Sequence, residues 1–113
     1  MLGAFRGDGV LVGTVGFFRE ALARTRHRAI VWGMYVAPEA RGVGLARALL
    51  VAALAALDRA GGIEQVHLTA TTTNGPALAL YRSAGFVTEG TSRRAMKLEG
   101  RYVDEELLVR FLK

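Results

Sequence analysis

The stretch PEARGVGLARALL, residues 38–50, decides the fold that this sequence predicts. It follows the apolar run AIVWGMYV, residues 29–36, which is rich in β-branched and aromatic residues and is typical of a central strand. Pro38 ends this strand, and the Ala- and Leu-rich segment that follows predicts a long helix. Because glycine destabilises a helix, Gly42 and Gly44 at its start either make a tight turn or bring bare backbone close to a ligand.

On both sides of this turn, the pattern predicts strands and one further helix. The first helix covers about residues 43–60 and ends at the glycine pair 61–62, and a second, short helix begins after Asn74. Strands are predicted at 2–5, 10–18, 29–36, 65–71 and 86–90, followed by the antiparallel pair RRAMKL and YVDEELLVRFL. This order predicts an α+β fold in which two helices pack on a mixed, mostly antiparallel twisted sheet of about six to seven strands.

Length and composition limit the class of protein. The 113 residues suit a single domain, and the hydrophobic fraction of 51% is sufficient for a core. No segment has the length of a membrane span or the pattern of a signal peptide, so we expect a cytoplasmic protein that does not bind membranes. With no cysteine and only two histidines, the sequence predicts no metal site.

The net charge of +5 favours an anionic partner. A basic surface attracts either nucleic acid or a phosphorylated cofactor. Most of the basic residues are scattered, and aromatic residues do not interleave with them as they do in a surface that stacks bases. The charge pattern therefore favours the cofactor over nucleic acid.

The glycine turn has the features of an anion-binding site. The first N–H groups of a helix lack intrahelical partners, and the helix dipole adds positive potential, so phosphate binds well there. Small residues at Gly42, Gly44 and Ala46 would let a pyrophosphate lie against the backbone. A dinucleotide-binding GxGxxG pattern needs glycine where Arg47 stands, and a P-loop would need a Gly-Lys pair that is missing. The pattern that remains is Arg-x-x-Gly-x-Ala, beginning at Arg41.

This pattern resembles the acyl-CoA-binding signature of the GNAT superfamily of N-acetyltransferases. WGMYVAPEARGVGLARALL is similar to the fourth strand, pyrophosphate loop and third helix of that family, and NGPALALYRSAGF is similar to its later helix. The resemblance covers nearly the whole chain, but the strand and helices that usually precede the first hairpin of the family are missing. Since their absence would expose a sheet edge and apolar surface, we expect the chain to form a homodimer that covers both.

The resemblance implies an acetyl-CoA-dependent N-acetyltransferase, in which the amine of a small molecule, an amino acid or a peptide attacks the thioester directly. It assigns a cofactor contact to Asn74 and the role of general acid for the leaving thiolate to Tyr81. It assigns the remaining cofactor contacts mainly to backbone groups of Met34, Tyr35, Val36, Arg41, Gly42, Val43, Gly44, Leu45 and Ala46. The structural alternatives are a strand core for 34–36, a solvated Arg41 side chain, a helix cap at Asn74 and a buried tyrosine at Tyr81.

The acceptor side of the site is less defined by the sequence. Many family members carry a glutamate on the fourth strand as general base, but residues 29–36 contain no acid, and Ile30 lies near the expected position. We assign no base among the remaining candidates, Glu20, Glu39 and His27, and a water relay is the alternative. One hypothesis is an acceptor pocket lined by Trp32, Met34, Phe17 and Phe18. The alternative is that these side chains belong to the core. The missing base leaves a second hypothesis, a CoA-binding regulatory or catalytically inactive domain.

Overall fold

A computed structural model describes residues 1–112, which form six strands, two α-helices and one short 3-10 turn at Pro38–Ala40. The helices are α1 (Leu45–Ala60) and α2 (Gly75–Ser83). The strands are β1 (Leu2–Phe5), β2 (Leu11–Arg19), β3 (Arg28–Val36), β4 (Gln65–Thr71), β5 (Val87–Leu98) and β6 (Arg101–Phe111). None of the helices within residues 1–112 is long and apolar enough to cross a membrane.

All six strands belong to one sheet in the order β1-β2-β3-β4-β6-β5. Among the strands of residues 1–112, only β3 and β4 pair in parallel, and α1 connects them as a crossover. β6 returns between β4 and β5, so α2 connects two strands that are not neighbours. The mixed, mostly antiparallel sheet with two helices confirms the predicted α+β fold.

The core lies between the helices and one face of the sheet. Alternate residues of β4, Val66, Leu68 and Ala70, are buried in the same core as the inner faces of both helices. The helix residues in this core are Leu49, Leu50, Ala53, Leu54 and Leu57 of α1 and Leu78 and Tyr81 of α2. The other β4 side chains point away from the helices, because successive side chains of a strand alternate between faces. We call this second side, which carries His67 and Thr69, the open face of the sheet.

Helix α1 begins at Leu45, two residues later than predicted. Gly42 and Gly44 both have positive φ, +85° and +78°, so neither can belong to a right-handed helix, and Gly44 is the N-cap. The helix ends before Gly61, as the glycine pair predicted.

The C-terminal strands differ from the prediction. The segments at 86–90 and RRAMKL were predicted as separate strands, but both belong to β5. An irregularity divides them, since the register with β6 shifts between Ser92 and Met96. Within it Arg94 has a φ of +53°, and its backbone N–H donates to Asp104 Oδ1 at 2.8 Å. The break in the sequence pattern is therefore a bulge inside one strand, and the sheet has six strands.

Candidate active site

The parallel strands β3 and β4 separate along their length. Within residues 1–112 they pair in three rows, the last of which joins Ile30 to His67. Beyond this row β3 still pairs with β2, where Thr14 lies opposite Tyr35 and Gly13 opposite Val36. The edge of β3 that faces β4 therefore carries backbone groups without a strand partner, and a gap opens between the two strands.

A bulge in β3 marks the point where the gap begins. The register with β2 passes from Gly16 opposite Trp32 to Thr14 opposite Tyr35, so β3 holds one extra residue there. Gly33 lies in this bulge with a φ of +63°, and its carbonyl accepts a hydrogen bond from Thr14 Oγ1 at 3.1 Å. A glycine inside a strand is typical of such a bulge.

The start of α1 has an exposed set of backbone donors. Within residues 1–112, no side chain caps the helix, and its first turn contains no acidic residue. A Cβ atom added at Gly42 or Gly44 would meet no heavy atom within 4 Å, so positive φ, and not crowding inside the chain, requires glycine at both positions. The result is a free helix N-terminus with open space in front of it, which favours an anion.

Arg41 stabilises the turn that leads into α1. Its Nε donates to the Val36 carbonyl at 2.9 Å, so the side chain joins the end of β3 to the loop. Arg41 is nevertheless an exposed residue, so the solvated side chain and the cofactor contact both stay open as alternatives. Val43, in contrast, is 79% exposed at the apex of the turn.

Helix α2 borders the other side of the gap. The Asn74 Oδ1 atom accepts from the Ala77 N–H at 3.2 Å, so Asn74 is the helix cap that the sequence predicted. Arg47 of α1 donates to the Ser83 hydroxyl of α2 at 2.7 Å, which connects the two helices beside the gap. Cap and cofactor contact remain compatible for Asn74, because its side chain also lines the cavities described next.

Three adjoining cavities form a channel along the gap. The middle cavity, of about 480 Å³, has a wall formed by Met34, Tyr35, Val36, Arg41, Ala46, Asn74 and Tyr81 among others. It shares Arg41 and Ala46 with a cavity of about 340 Å³ that lies at Gly42, Gly44 and Leu45. Towards the paired end of β3 and β4 it shares Met34, Asn74 and Tyr81 with a third cavity, of about 450 Å³. The channel thus brings together all the predicted cofactor-binding residues except Val43.

Tyr81 lies where two of these cavities join. The side chain is only 8% exposed and packs edge-on against Phe86, with 6.3 Å between the ring centroids. Burial raises the pKa of the Tyr81 phenol above its ordinary value of 10.0. The residue is therefore protonated at neutral pH, and both the buried tyrosine and the general acid of the sequence analysis fit its position.

A further cavity, of about 390 Å³, lies on the open face at the point where β3 and β4 separate. Trp32 lines this cavity and the neighbouring part of the channel, whereas Met34 lines only the channel. The other two aromatic candidates line none of these cavities in the part of the chain that the structure describes: Phe17 packs against the core, and Phe18 is half exposed.

The open-face cavity contains a histidine that was not among the residues predicted for the site. His67 lines it together with Glu89, and the His67 Nδ1 lies 3.3 Å from Glu89 Oε1. None of the three base candidates lines this cavity: Glu20 forms an ion pair with Arg28 at 3.3 Å, Glu39 lies in the 3-10 turn, and His27 lies in the loop before β3. Two features of the sequence could have identified His67. One is the alternation in QVHLTAT, and the other is the position of Ile30 near the place expected for the glutamate base.

Comparison with known proteins agrees with this geometry. Residues 1–86 match the model of the Acetyltransferase (GNAT) family. The chain is 29% identical over 103 residues to the L-amino acid N-acetyltransferase AaaT of Escherichia coli, covering 91% of this chain and 63% of that protein. It is 33% identical over 78 residues to the spermidine N(1)-acetyltransferase of Vibrio cholerae, covering 69% of this chain and 45% of that protein.

Solved structures show the same fold. The structure of a GNAT-family acetyltransferase from Streptococcus pneumoniae superimposes with a TM-score of 0.87 at 27% identity, and the match covers 93% of this chain and 62% of that one. The chain therefore spans less than two thirds of the length of each of these three proteins.

Proposed function

The chain belongs to the GNAT acetyltransferase family, and we propose that it transfers the acetyl group of acetyl-CoA to a primary amine. The observation that carries this proposal is the channel from the uncapped start of α1 to the gap between β3 and β4, with Tyr81 at a junction inside it. The channel offers an anion site at one end and a proton donor further along, which is the pair of groups that a CoA thioester requires.

The residues of the channel fit acetyl-CoA. The uncapped N–H groups of α1 and the open space at Gly42 and Gly44 suit a pyrophosphate, since anions are stabilised at helix N-termini. The backbone of residues 34–36 is free on its β4 side, so an extended ligand with amide groups can pair with it as an added strand. When bound, acetyl-CoA would supply the activated acetyl thioester.

Tyr81 is the proposed general acid. A leaving thiolate has a pKa near 8.5, so a phenol can protonate it only when position and surroundings assist the transfer. Burial keeps Tyr81 neutral at the pH of the cell, and its side chain lines the channel on both sides of the junction. The residue thus holds its proton where a leaving sulfur would need it.

The acceptor is proposed as an amine of a small molecule, an amino acid or a peptide. The two relatives above are named for acetylation of L-amino acids and of spermidine, and both substrates are amines. These names support the reaction class and leave the acceptor open among these kinds of amine. We also propose that the reaction takes place in the cytoplasm.

A homodimer is part of the proposal. Strand β1 is an edge of the sheet, and its Phe5 side chain is 65% exposed beside Leu11, which is 50% exposed on β2. Unpaired edges readily accept a further strand, and a second copy of the same edge can pair with it about a twofold axis. Light scattering on the purified chain tests this, and a monomer at every concentration would contradict it.

Calorimetry with acetyl-CoA and an assay of thiol release test the function. We expect micromolar to millimolar binding of acetyl-CoA and thiol release with at least one amine from a panel of L-amino acids, polyamines and peptides. The absence of binding at millimolar acetyl-CoA would overturn the proposal. Binding without turnover on any amine would instead favour a CoA-binding regulatory domain.

A further inference from the structure

His67 lies at the inner end of the gap, on the face that the helices leave open. Its strand neighbour is Ile30, and the two side chains point to the same face because residues paired side by side in a sheet do so. Immediately beyond them β3 and β4 separate, and His67 lines the 390 Å³ cavity that begins there. In this row Ile30 of β3 is apolar, whereas the imidazole of His67 on β4 can accept a proton.

Two side chains contact the ring nitrogens of the His67 imidazole, Glu89 at Nδ1 and Gln65 at Nε2. Glu89 Oε1 lies 3.3 Å from Nδ1 and accepts a proton only if Nδ1 carries one. The lone pair of the neutral ring is then on Nε2, whose neighbour at 2.9 Å is Gln65 Oε1. An amide oxygen is also an acceptor, so the neutral ring requires the Gln65 amide in its other orientation, with the nitrogen towards Nε2. In that orientation the NH₂ group of Gln65 would donate to the lone pair on Nε2. An incoming amine would then replace this NH₂ group beside Nε2.

The charges around His67 come from three elements. Burial lowers the pKa of His67, and the Arg28 guanidinium on β3 lowers it further. Glu89 on β5 and Glu20, the residue that follows β2, oppose this effect by stabilising the imidazolium. Arg28 is itself paired with Glu20, at 3.3 Å. The net effect is a histidine that is neutral at pH 7 and has a carboxylate beside it to stabilise the cation once formed.

We propose that His67 is the general base of the acetyl transfer and that Glu89 is a positioning residue that orients its ring. This inference rests on the proposed acetyltransferase function. As the amine nitrogen bonds to the acetyl carbon and the carbon–sulfur bond breaks, the nitrogen passes one proton to His67 Nε2. The leaving sulfur takes a proton from Tyr81. His67 then loses and Tyr81 regains one proton through water, so both residues return to their starting state.

The substitution His67→Gln tests the base directly. With acetyl-CoA and the amine of the panel that wild type converts fastest, we expect kcat/KM to fall about a hundredfold or more. Acetyl-CoA affinity by calorimetry should stay within about twofold, because the cofactor channel does not include His67. The matched control is His27→Gln, which changes the other histidine, outside the cavity, and should keep wild-type kcat/KM.

The pH profile separates a base from a structural residue. Because a base acts when neutral, wild-type kcat/KM should have an acidic limb below pH 6.5. Glu89→Gln removes a group that raises this pKa, so the limb should move to lower pH; Arg28→Gln removes one that lowers it, so the limb should move to higher pH. The ionisation of the amine acts equally in all variants, so these opposite displacements report on His67.

The outcomes distinguish this inference from the function on which it rests. Suppose that wild type converts an amine and that both His67→Gln and His67→Asn keep its rate. The role of His67 as general base is then overturned, and the acetyltransferase function remains. If both variants bind acetyl-CoA normally but lose the rate and the acidic limb, the base is supported. If wild type converts no amine, the acetyltransferase function is overturned, and the base with it.

Discussion

Ile30 and His67 lie side by side in the last paired row of β3 and β4, immediately before the two strands separate. The family resemblance places a glutamate base on the strand that here carries Ile30. The adjacent strand supplies a titratable side chain on the same face and in the same row. A proton acceptor is thus available at this position although the strand itself contains no acid.

This pairing predicts that a carboxylate placed at position 30 can replace the imidazole of His67 as the base. In a His67→Gln background, the added substitution Ile30→Glu should restore kcat/KM by about tenfold, because it places a carboxylate beside the lost imidazole. The matched control is Ile30→Gln in the same background, which has a similar shape and no basic group. Equal rates for the two double variants in the thiol-release assay would contradict the prediction.

Tyr81→Phe should slow the reaction and leave binding intact. The ring that packs against Phe86 remains, so we expect unchanged acetyl-CoA affinity, and the loss of the hydroxyl should lower kcat about a hundredfold. In wild type, burial raises the pKa of Tyr81, so its protonated form persists throughout the ordinary assay range. No alkaline loss of rate from Tyr81 should therefore occur below about pH 10. Calorimetry and steady-state kinetics check these effects, and unchanged kcat would remove Tyr81 from the acid role.

Phe5→Lys should weaken the proposed dimer. The substitution adds a charge to the exposed side chain of edge strand β1, and lysine on an edge strand opposes pairing with another chain. We expect the dissociation constant from light scattering to rise at least about tenfold. The control Val51→Lys adds the same charge at a half-exposed position of α1 and should leave the dimer unchanged. Equal effects of the two variants would place the interface elsewhere.

The parts of the fold that depend on local sequence were predicted well. The strand at 65–71, the cap at Asn74 and the glycine pair after α1 occur as predicted, because alternation, capping and positive φ each act over a few residues. The predicted division of β5 was wrong for the opposite reason. Its two halves form one strand through their register with β6 and the Arg94–Asp104 hydrogen bond, which joins residues ten positions apart.

The same difference between local patterns and contacts of distant residues explains which parts of the candidate site could be predicted. The cofactor side could be predicted because most of it lies in two continuous segments around Gly44 and Asn74. The contact between His67 and Glu89 joins β4 to β5 across the intervening β6. Only the strand order brings these two residues together, and alternation within β4 gives the face of His67 but not its partner.

Gly44→Glu should abolish acetyl-CoA binding, because it places a negative charge at the helix start that is proposed to hold pyrophosphate. Positive φ makes any side chain at Gly44 costly, by about 1–2 kcal/mol, so strain needs a matched control. Gly9→Glu provides it, since Gly9 has a φ of +86° with no heavy atom within 4 Å of an added Cβ, and lies in the β1–β2 turn. We expect similar losses of unfolding free energy in both variants, with calorimetric binding lost only in Gly44→Glu. Retained binding in Gly44→Glu would exclude the start of α1 as the pyrophosphate site.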